Sequence, residues 1–382
     1  MRAFFVFFLA LAGVGGIAAQ TVAQPANTLP QWHYGVFADL AYLKDTNSPA
    51  NDLYRFRSTT PNVDEPVLDM AAGFVRKDAI PESRWGMELT LQGGKDSQEF
   101  GYSGTAPNLA GSRWLRHLGP TNISYLAPVG RGLTIQAGVF SSLIGYESLY
   151  AKDNFAYTRA WGADYTPYLM MGINAGYAAT DKLTLSAFLI NGYAHLSRPN
   201  HAPTTGGQMA YKATGHTTLK ETLLYGPQQA NTAPQYWRFF SDSIAEWKAE
   251  RFTTALEYQA GEEKASTADA TRALWMAAML PLHWAPGGPW SFTVRPEVIW
   301  DRNGLWTGAA QSIKAVTTTV EYRATFRGGQ AAIRLEHRYD NGQGTGAGFY
   351  YGGYTSLGEP GLRASHNLVI AALIVTVQGS HH

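Results

Sequence analysis

The chain has 382 residues, a formal net charge of +1, no cysteine, 15% charged and 13% aromatic residues, and 40 glycines. The lack of cysteine excludes disulfides, thiolate catalysis and cysteine-ligated metals, and balanced charge without a lysine or arginine cluster argues against a nucleic-acid partner. A charged fraction well below the roughly 25% of ordinary soluble domains argues against a soluble globular protein.

Met1 and Arg2 precede an apolar run at 3–17 that fades into small residues at Ala18, Ala19 and Ala23. A charged start, a short apolar stretch and a small-residue cleavage zone predict a signal peptide over 1–23 and an exported chain over 24–382. The run falls short of the roughly 20 apolar residues of a spanning helix, and no second run approaches that length.

Beyond it the dominant period is two. Alternating stretches occur at WHYGVFADLAYL (32–43), VLDMAAGFVRK (67–77), WGMELTLQGG (85–94), TNISYLAP (121–128), LTIQAGVFS (133–141), YLMMGINAGYAAT (168–180), LTLSAFLINGYAH (183–195), GQMAYKA (207–213) and TTLKETLLYG (217–226). They continue with YWRFFSDSIAEWK (236–248), RFTTALEYQ (251–259), TRALWMAAMLPL (271–282), WSFTVRPEVIW (290–300), IKAVTTTVEYRATF (313–326), QAAIRLEHRYD (330–340) and HNLVIAALIVTV (366–377). Alternation of this kind marks strands with one apolar and one wet face. In 236–259 the apolar set holds Trp237, Phe239, Trp247, Phe252, Leu256 and Tyr258, against Arg238, Asp242, Glu246, Arg251, Glu257 and Gln259.

The connections alternate in length. Tight turns such as VGRG, DK, TG and GG interleave with long segments near 44–66, 95–120, 142–167, 195–206, 227–235, 261–270, 301–312 and 341–365. This predicts an all-β fold: a transmembrane antiparallel β-barrel of 16 strands with short periplasmic turns and long extracellular loops. A soluble sandwich would not place long loops at every second connection, and no repeat supports a propeller. Aromatics gather at strand ends, with Trp32, Trp85, Trp247, Trp284 and Trp290 near short turns and Tyr42, Tyr193, Tyr225, Trp237 and Trp300 near long loops. They are the expected interfacial girdles, in contact with outer-membrane lipid.

If the apolar positions face lipid, the alternate positions face the bore and carry Arg238, Arg295, Arg323, Arg334 and Arg338 together with Glu321 and Glu336. A bore of this width and polarity is expected to hold water. A hairpin turn at Gly329 and Gln330 would set Arg323 opposite Glu336 and Glu321 opposite Arg338, whereas a turn at Gly328 and Gly329 would oppose like charges. The first register is the expectation.

The segment 142–167, SLIGYESLYAKDNFAYTR and onward, is richer in charge and aromatics than a turn requires. Folded back into the bore it would narrow it, with Glu147, Asp153 and Arg159 facing the wall arginines across a transverse field that sorts solutes. The bland alternative is an external loop whose Asp153 and Asn154 merely make a turn.

The runs SSLIGYES (with Gly145, Tyr146 and Glu147), DNFAYTRAW, YLMMGINAGY and LTLSAFLINGY (ending in Asn191, Gly192 and Tyr193) resemble the OmpL-like β-barrel porins, most clearly over 133–193. The resemblance implies an outer-membrane diffusion channel for small hydrophilic solutes, without cofactor, and supplies no ligand residues. Similar porins assemble as homotrimers, an expectation from architecture alone. Enzyme chemistry finds no support: no Gly-x-Ser-x-Gly elbow or His-Glu-x-x-His occurs, and His195 and His201 flank a loop where solvation is the ordinary role. The competing reading from another class is a closed barrel that anchors ligand-binding loops such as the Gly- and Tyr-rich 341–365 as a receptor or adhesin.

Overall fold

The computed structural model describes residues 32–99, 112–228, 236–264 and 272–381. The expected leader at 1–23 lies outside them.

Each alternating stretch forms a strand: β1 (Trp32–Asp45), β2 (Pro66–Lys77), β3 (Trp85–Gly93), β4 (Thr121–Ala127), β5 (Leu133–Ser141), β6 (Leu169–Ala178), β7 (Leu183–Ile190), β8 (Thr204–Lys212) and β9 (Thr217–Pro227). There follow β10 (Trp237–Lys248), β11 (Phe252–Glu263), β12 (Ala273–Met279), β13 (Leu282–Gly287), β14 (Trp290–Asp301), β15 (Ala310–Phe326) and β16 (Gly329–Thr345). The last long loop carries a small separate hairpin of β17 (Phe349–Tyr354) and β18 (Pro360–Arg363), and β19 (Ser365–His381) ends the chain.

Strands β12 and β13 are two parts of one stave. Both pair with β11 and β14, and the gap between them holds Pro281, which has no N–H to give to a ladder. Counting them as one gives a 16-strand antiparallel barrel, closed by the pairing of β1 with β19. Closure satisfies every strand edge, as a sheet in lipid requires. Among the described residues no helix is long and apolar enough to cross a membrane; the strands do the crossing.

The apolar set faces outward as expected. Leu256 and Trp300 are 52% and 38% exposed, and Phe239 and Tyr258 lie on the same outer surface. Trp85, Trp284 and Trp290 by the short turns, and Tyr42 and Tyr225 by the long loops, are exposed girdle residues. Tyr193 is not: it is 2% exposed, inside the barrel against Phe240.

Two expectations need correction. The β15–β16 turn is made by Arg327 and Gly328, because only the second turn position needs a positive φ, and Gly328 supplies it at +82°. Glu321 therefore opposes Arg334, and Arg323 opposes Ala332, which is neither register considered from sequence. Opposite charges still meet: Arg334 Nε donates to Glu321 Oε2 at 2.7 Å, and Arg323, two residues along the same strand, reaches the same carboxylate at 2.7 Å. The second correction concerns the bore, which is not uniformly polar. Phe140, Phe188, Ile190, Leu224, Phe240 and Trp275 form one buried cluster. Ile370, Ala372 and Ile374 belong to another, together with Tyr157 and Trp161 of the 142–167 segment. These positions face inward because incoming loops cover them, so their burial is as favourable as in a soluble core.

Candidate functional site

The segment between β5 and β6 does enter the barrel and crosses it. Gly145, at φ +91°, allows the backbone to turn inward, and short helical turns at Ala151–Asp153 and Trp161–Asp164 compact the rest. Residues so far inside must have their backbone groups paired, and wall side chains supply the partners. On entry, Leu143 O accepts from Gln208 Nε2 at 2.5 Å and Thr222 Oγ1 at 2.9 Å. Gly145 N donates to Asp242 at 2.8 Å and Tyr146 N to Glu257 at 3.0 Å.

On the far side Arg334 donates to three carbonyls of the segment: Ala151 at 2.8 Å, Asn154 at 2.6 Å and Ala156 at 3.0 Å. Glu336 accepts from Tyr157 N at 2.6 Å and Thr158 N at 3.1 Å. The Tyr157 hydroxyl ends between Asp39 (3.0 Å) and Asp69 (2.7 Å) on β1 and β2, and Trp161 Nε1 reaches Asp340 at 2.6 Å. The segment is thus fastened to walls on opposite sides of the bore.

Of the residues singled out from sequence, Glu147 meets the wall: its carboxylate lies 2.5 Å from Arg295 Nη1 and also accepts from Ala160 N at 2.6 Å. Arg295 in turn donates to Thr158 O at 2.7 Å. Asp153 does not face a wall arginine; it pairs with Lys152 at 2.8 Å and is half-exposed. Arg159 is fully buried and serves its own loop, donating to Tyr157 O at 2.8 Å and to Leu149 O, with Asp96 at 3.8 Å. Burial works against its charge, and Asp96, Tyr168, Asp39 and Tyr157 together more than offset this, so its pKa is raised. Burial, together with the neighbouring Asp69, pushes the Asp96 carboxyl well above its ordinary range.

Arg338 bridges Asp340 at 2.9 Å, Glu297 at 2.8 Å and Arg159 O at 3.2 Å. Arg323, half-exposed near the short turn, shares Glu321 with Arg334 and touches nothing of the segment. Arg238 stands apart, 2.5 Å from Glu263 and over the rings of Tyr193 and Trp275. Buried charges of this kind persist only when paired. Sequence reasoning missed Asp39, Asp69, Asp242 and Glu257 as anchors, although all four are buried charged residues within alternating strands.

The wall of β4–β7 is different, whereas on the adjoining β8 and β9 Lys212 and Lys220 take inward positions. At its inward positions toward the short turns, Ser124, Gln136, Asn174 and Ser186 are half-buried, small and uncharged. The charged wall is engaged by the loop; these four side chains are neutral. Among the described residues no cluster of His, Asp or Glu could hold a metal ion.

The model of the family described as "Putative beta-barrel porin-2, OmpL-like" matches residues 33–376. No curated protein matches the sequence. Among solved structures, the outer membrane channel DcaP of Acinetobacter baumannii superposes with a TM-score of 0.57 at 10% identity, covering 96% of this chain and 100% of that one. OmpT, an outer membrane protein of Vibrio cholerae, gives 0.54 at 12% identity, with 90% and 96% covered. The anion-selective porin from Comamonas acidovorans gives 0.53 at 11% identity, with 91% and 98% covered.

Proposed function

The chain belongs to the OmpL-like β-barrel porin family, and from that premise we propose how its channel is narrowed. The barrel lies in the cell outer membrane and is a channel for passive diffusion; its family is one of channels rather than enzymes. In our reading the 142–167 segment is the constriction, with Glu147 and Arg159 as its internal charges. Solutes pass between it and the neutral β4–β7 wall, and the apolar cluster above that wall gates the external side.

The observation that supports this reading best is the pairing of the loop backbone by Arg334 and Glu336 on one side and by Asp242 and Glu257 on the other. A loop meant only for the exterior would leave those groups to water. The preferred solutes are then small and hydrophilic, because the β4–β7 lining offers hydroxyls and amides, with Lys220 of β9 beside it. The proposal extends to a homotrimer; a trimer form is described for the Vibrio cholerae OmpT. Analytical ultracentrifugation of the detergent-folded protein tests that part.

The native chain has no cysteine, so single thiols report the path cleanly. Ser124→Cys and Ser186→Cys are expected to react with a charged, water-soluble thiol reagent and to lose conductance on reaction. Thr319→Cys, on the engaged wall and 2% exposed, is expected to stay unmodified. The opposite pattern would place the path elsewhere.

A further inference from the structure

Near the external end of the bore, five aromatic side chains from five parts of the chain stack into one group. Trp275 of β12 lies 4.8 Å from Trp306, which in turn lies 5.6 Å from Tyr165, 5.9 Å from Phe240 and 6.5 Å from Tyr193. The wall is shaped to receive the Trp275 indole: a Cβ at Gly261, directly across the ladder, would sit 2.2 Å from its Cε2 and Cζ2. The indole therefore lies against bare backbone and turns its other face to Trp306.

The backbone around Trp306 is fixed by Asp301 of β14. Asp301 accepts from the N–H groups of Leu305, Trp306 and Thr307 at 3.0, 2.8 and 2.7 Å. Its ring is only partly buried.

This group is not a satisfied core. The Tyr193 hydroxyl, Trp275 Nε1 and Trp306 Nε1 are buried without a hydrogen-bond partner. Tyr193 is 2% exposed and Trp275 0%. Buried polar groups are nearly always paired, and orphaned ones call for a partner that enters. Of the cations near the group, Arg238 is matched by Glu263 at 2.5 Å and Arg57 by Asp164 at 2.7 Å, while Arg55 donates to the carbonyls of Gly346 and Gly348 at 2.9 and 2.8 Å. Flat apolar rings beside unpaired donors, with the nearby cations already engaged, suit a neutral ring that carries several hydroxyls.

We propose that Tyr193, Phe240, Trp275 and Trp306 form a saccharide-binding site at the external end of the bore. The sugar ring takes the face of Trp275 that Trp306 covers, and Trp306 swings aside to admit it. The inference rests on the channel reading above and names the solute class that the channel favours.

Isothermal titration of the detergent-folded protein with sucrose, with benzoate as the charged aromatic alternative, tests binding independently of conduction. Sucrose is expected to bind and benzoate not to. Tyr193→Phe and Trp275→Phe, which keep the rings and delete one donor each, are expected to weaken sucrose about three- to tenfold apiece, while Phe326→Leu, remote on the outer surface, leaves it unchanged. Sucrose should also interrupt the ion current of the wild-type channel. Absence of sucrose binding, preference for benzoate, or wild-type affinity in both donor-deleted variants would overturn the site even if ion steps are normal. An electrically silent barrel that still binds sucrose would instead overturn the channel reading and leave the site standing.

Discussion

Arg334 is the side chain on which the position of the crossing loop depends most, and Arg334→Met is the sharpest perturbation of it. Methionine keeps much of the stem's bulk but leaves the carbonyls of Ala151, Asn154 and Ala156 without their donor. Glu321 keeps Arg323 as a partner at 2.7 Å, so the wall itself is not stranded. Three lost hydrogen bonds at about 1 kcal/mol each, in a site where Arg334 is 1% exposed, give a loss near 3 kcal/mol, and breaking a buried ionic network reaches about 3–5 kcal/mol. That changes the ratio of docked to undocked loop by about a hundredfold or more. Single-channel recording should show larger or noisier steps, and limited proteolysis of the folded barrel should nick 142–167 faster. Arg323→Met is the control, because its half-exposed pair contributes about 1 kcal/mol or less. Wild-type steps and wild-type protection in Arg334→Met would refute the idea that wall contacts hold the loop in place.

Neutralising Glu147 and Asp153 together is expected to move the reversal potential in a salt gradient toward anions, with Glu147→Gln alone also freeing Arg295 from its 2.5 Å partner; an unchanged potential removes the loop from the ion path. His195 has its pKa lowered to about 4 by burial and by the charge of Arg238. An unfolded histidine binds its proton near pH 6.5, so the native contacts of loop 191–203 should weaken as pH falls from about 6.5 to 4. Hydrogen exchange in that loop should rise over this window, and flat protection would contradict it. Gly261→Ala would set a Cβ 2.2 Å from Trp275 and is expected to cost about 1–3 kcal/mol, read as a lower temperature for loss of the compact form on unboiled gels.

Most of the barrel was legible in the sequence because lipid imposes a strict rule on the outer face. Every second residue must be apolar there, and Leu256, Trp300 and Phe239 obey it. The β15–β16 register was not legible, since the turn region offers adjacent glycines and alternation fits several registers about as well; a positive φ at Gly328 decides it. The interior was legible only in part. Runs in which neighbouring residues are both apolar, such as Phe239 with Phe240 or Leu189 with Ile190, signal a strand end dry on both faces, yet they read easily as noise in the alternation. Which wall carboxylates would hold the loop was beyond the sequence altogether. Gly145 and Asp242 lie 97 residues apart, and Tyr157 and Glu336 lie 179 apart, so no local pattern links them.

The central claim is that solutes cross this barrel past a loop docked inside it. Recording the purified, folded protein in planar lipid bilayers tests that claim most directly. The account predicts discrete, steady ion-conducting steps that shrink when Ser186→Cys is modified by a charged thiol reagent. A barrel that inserts and stays electrically silent would contradict it and favour a closed anchor for the external loops.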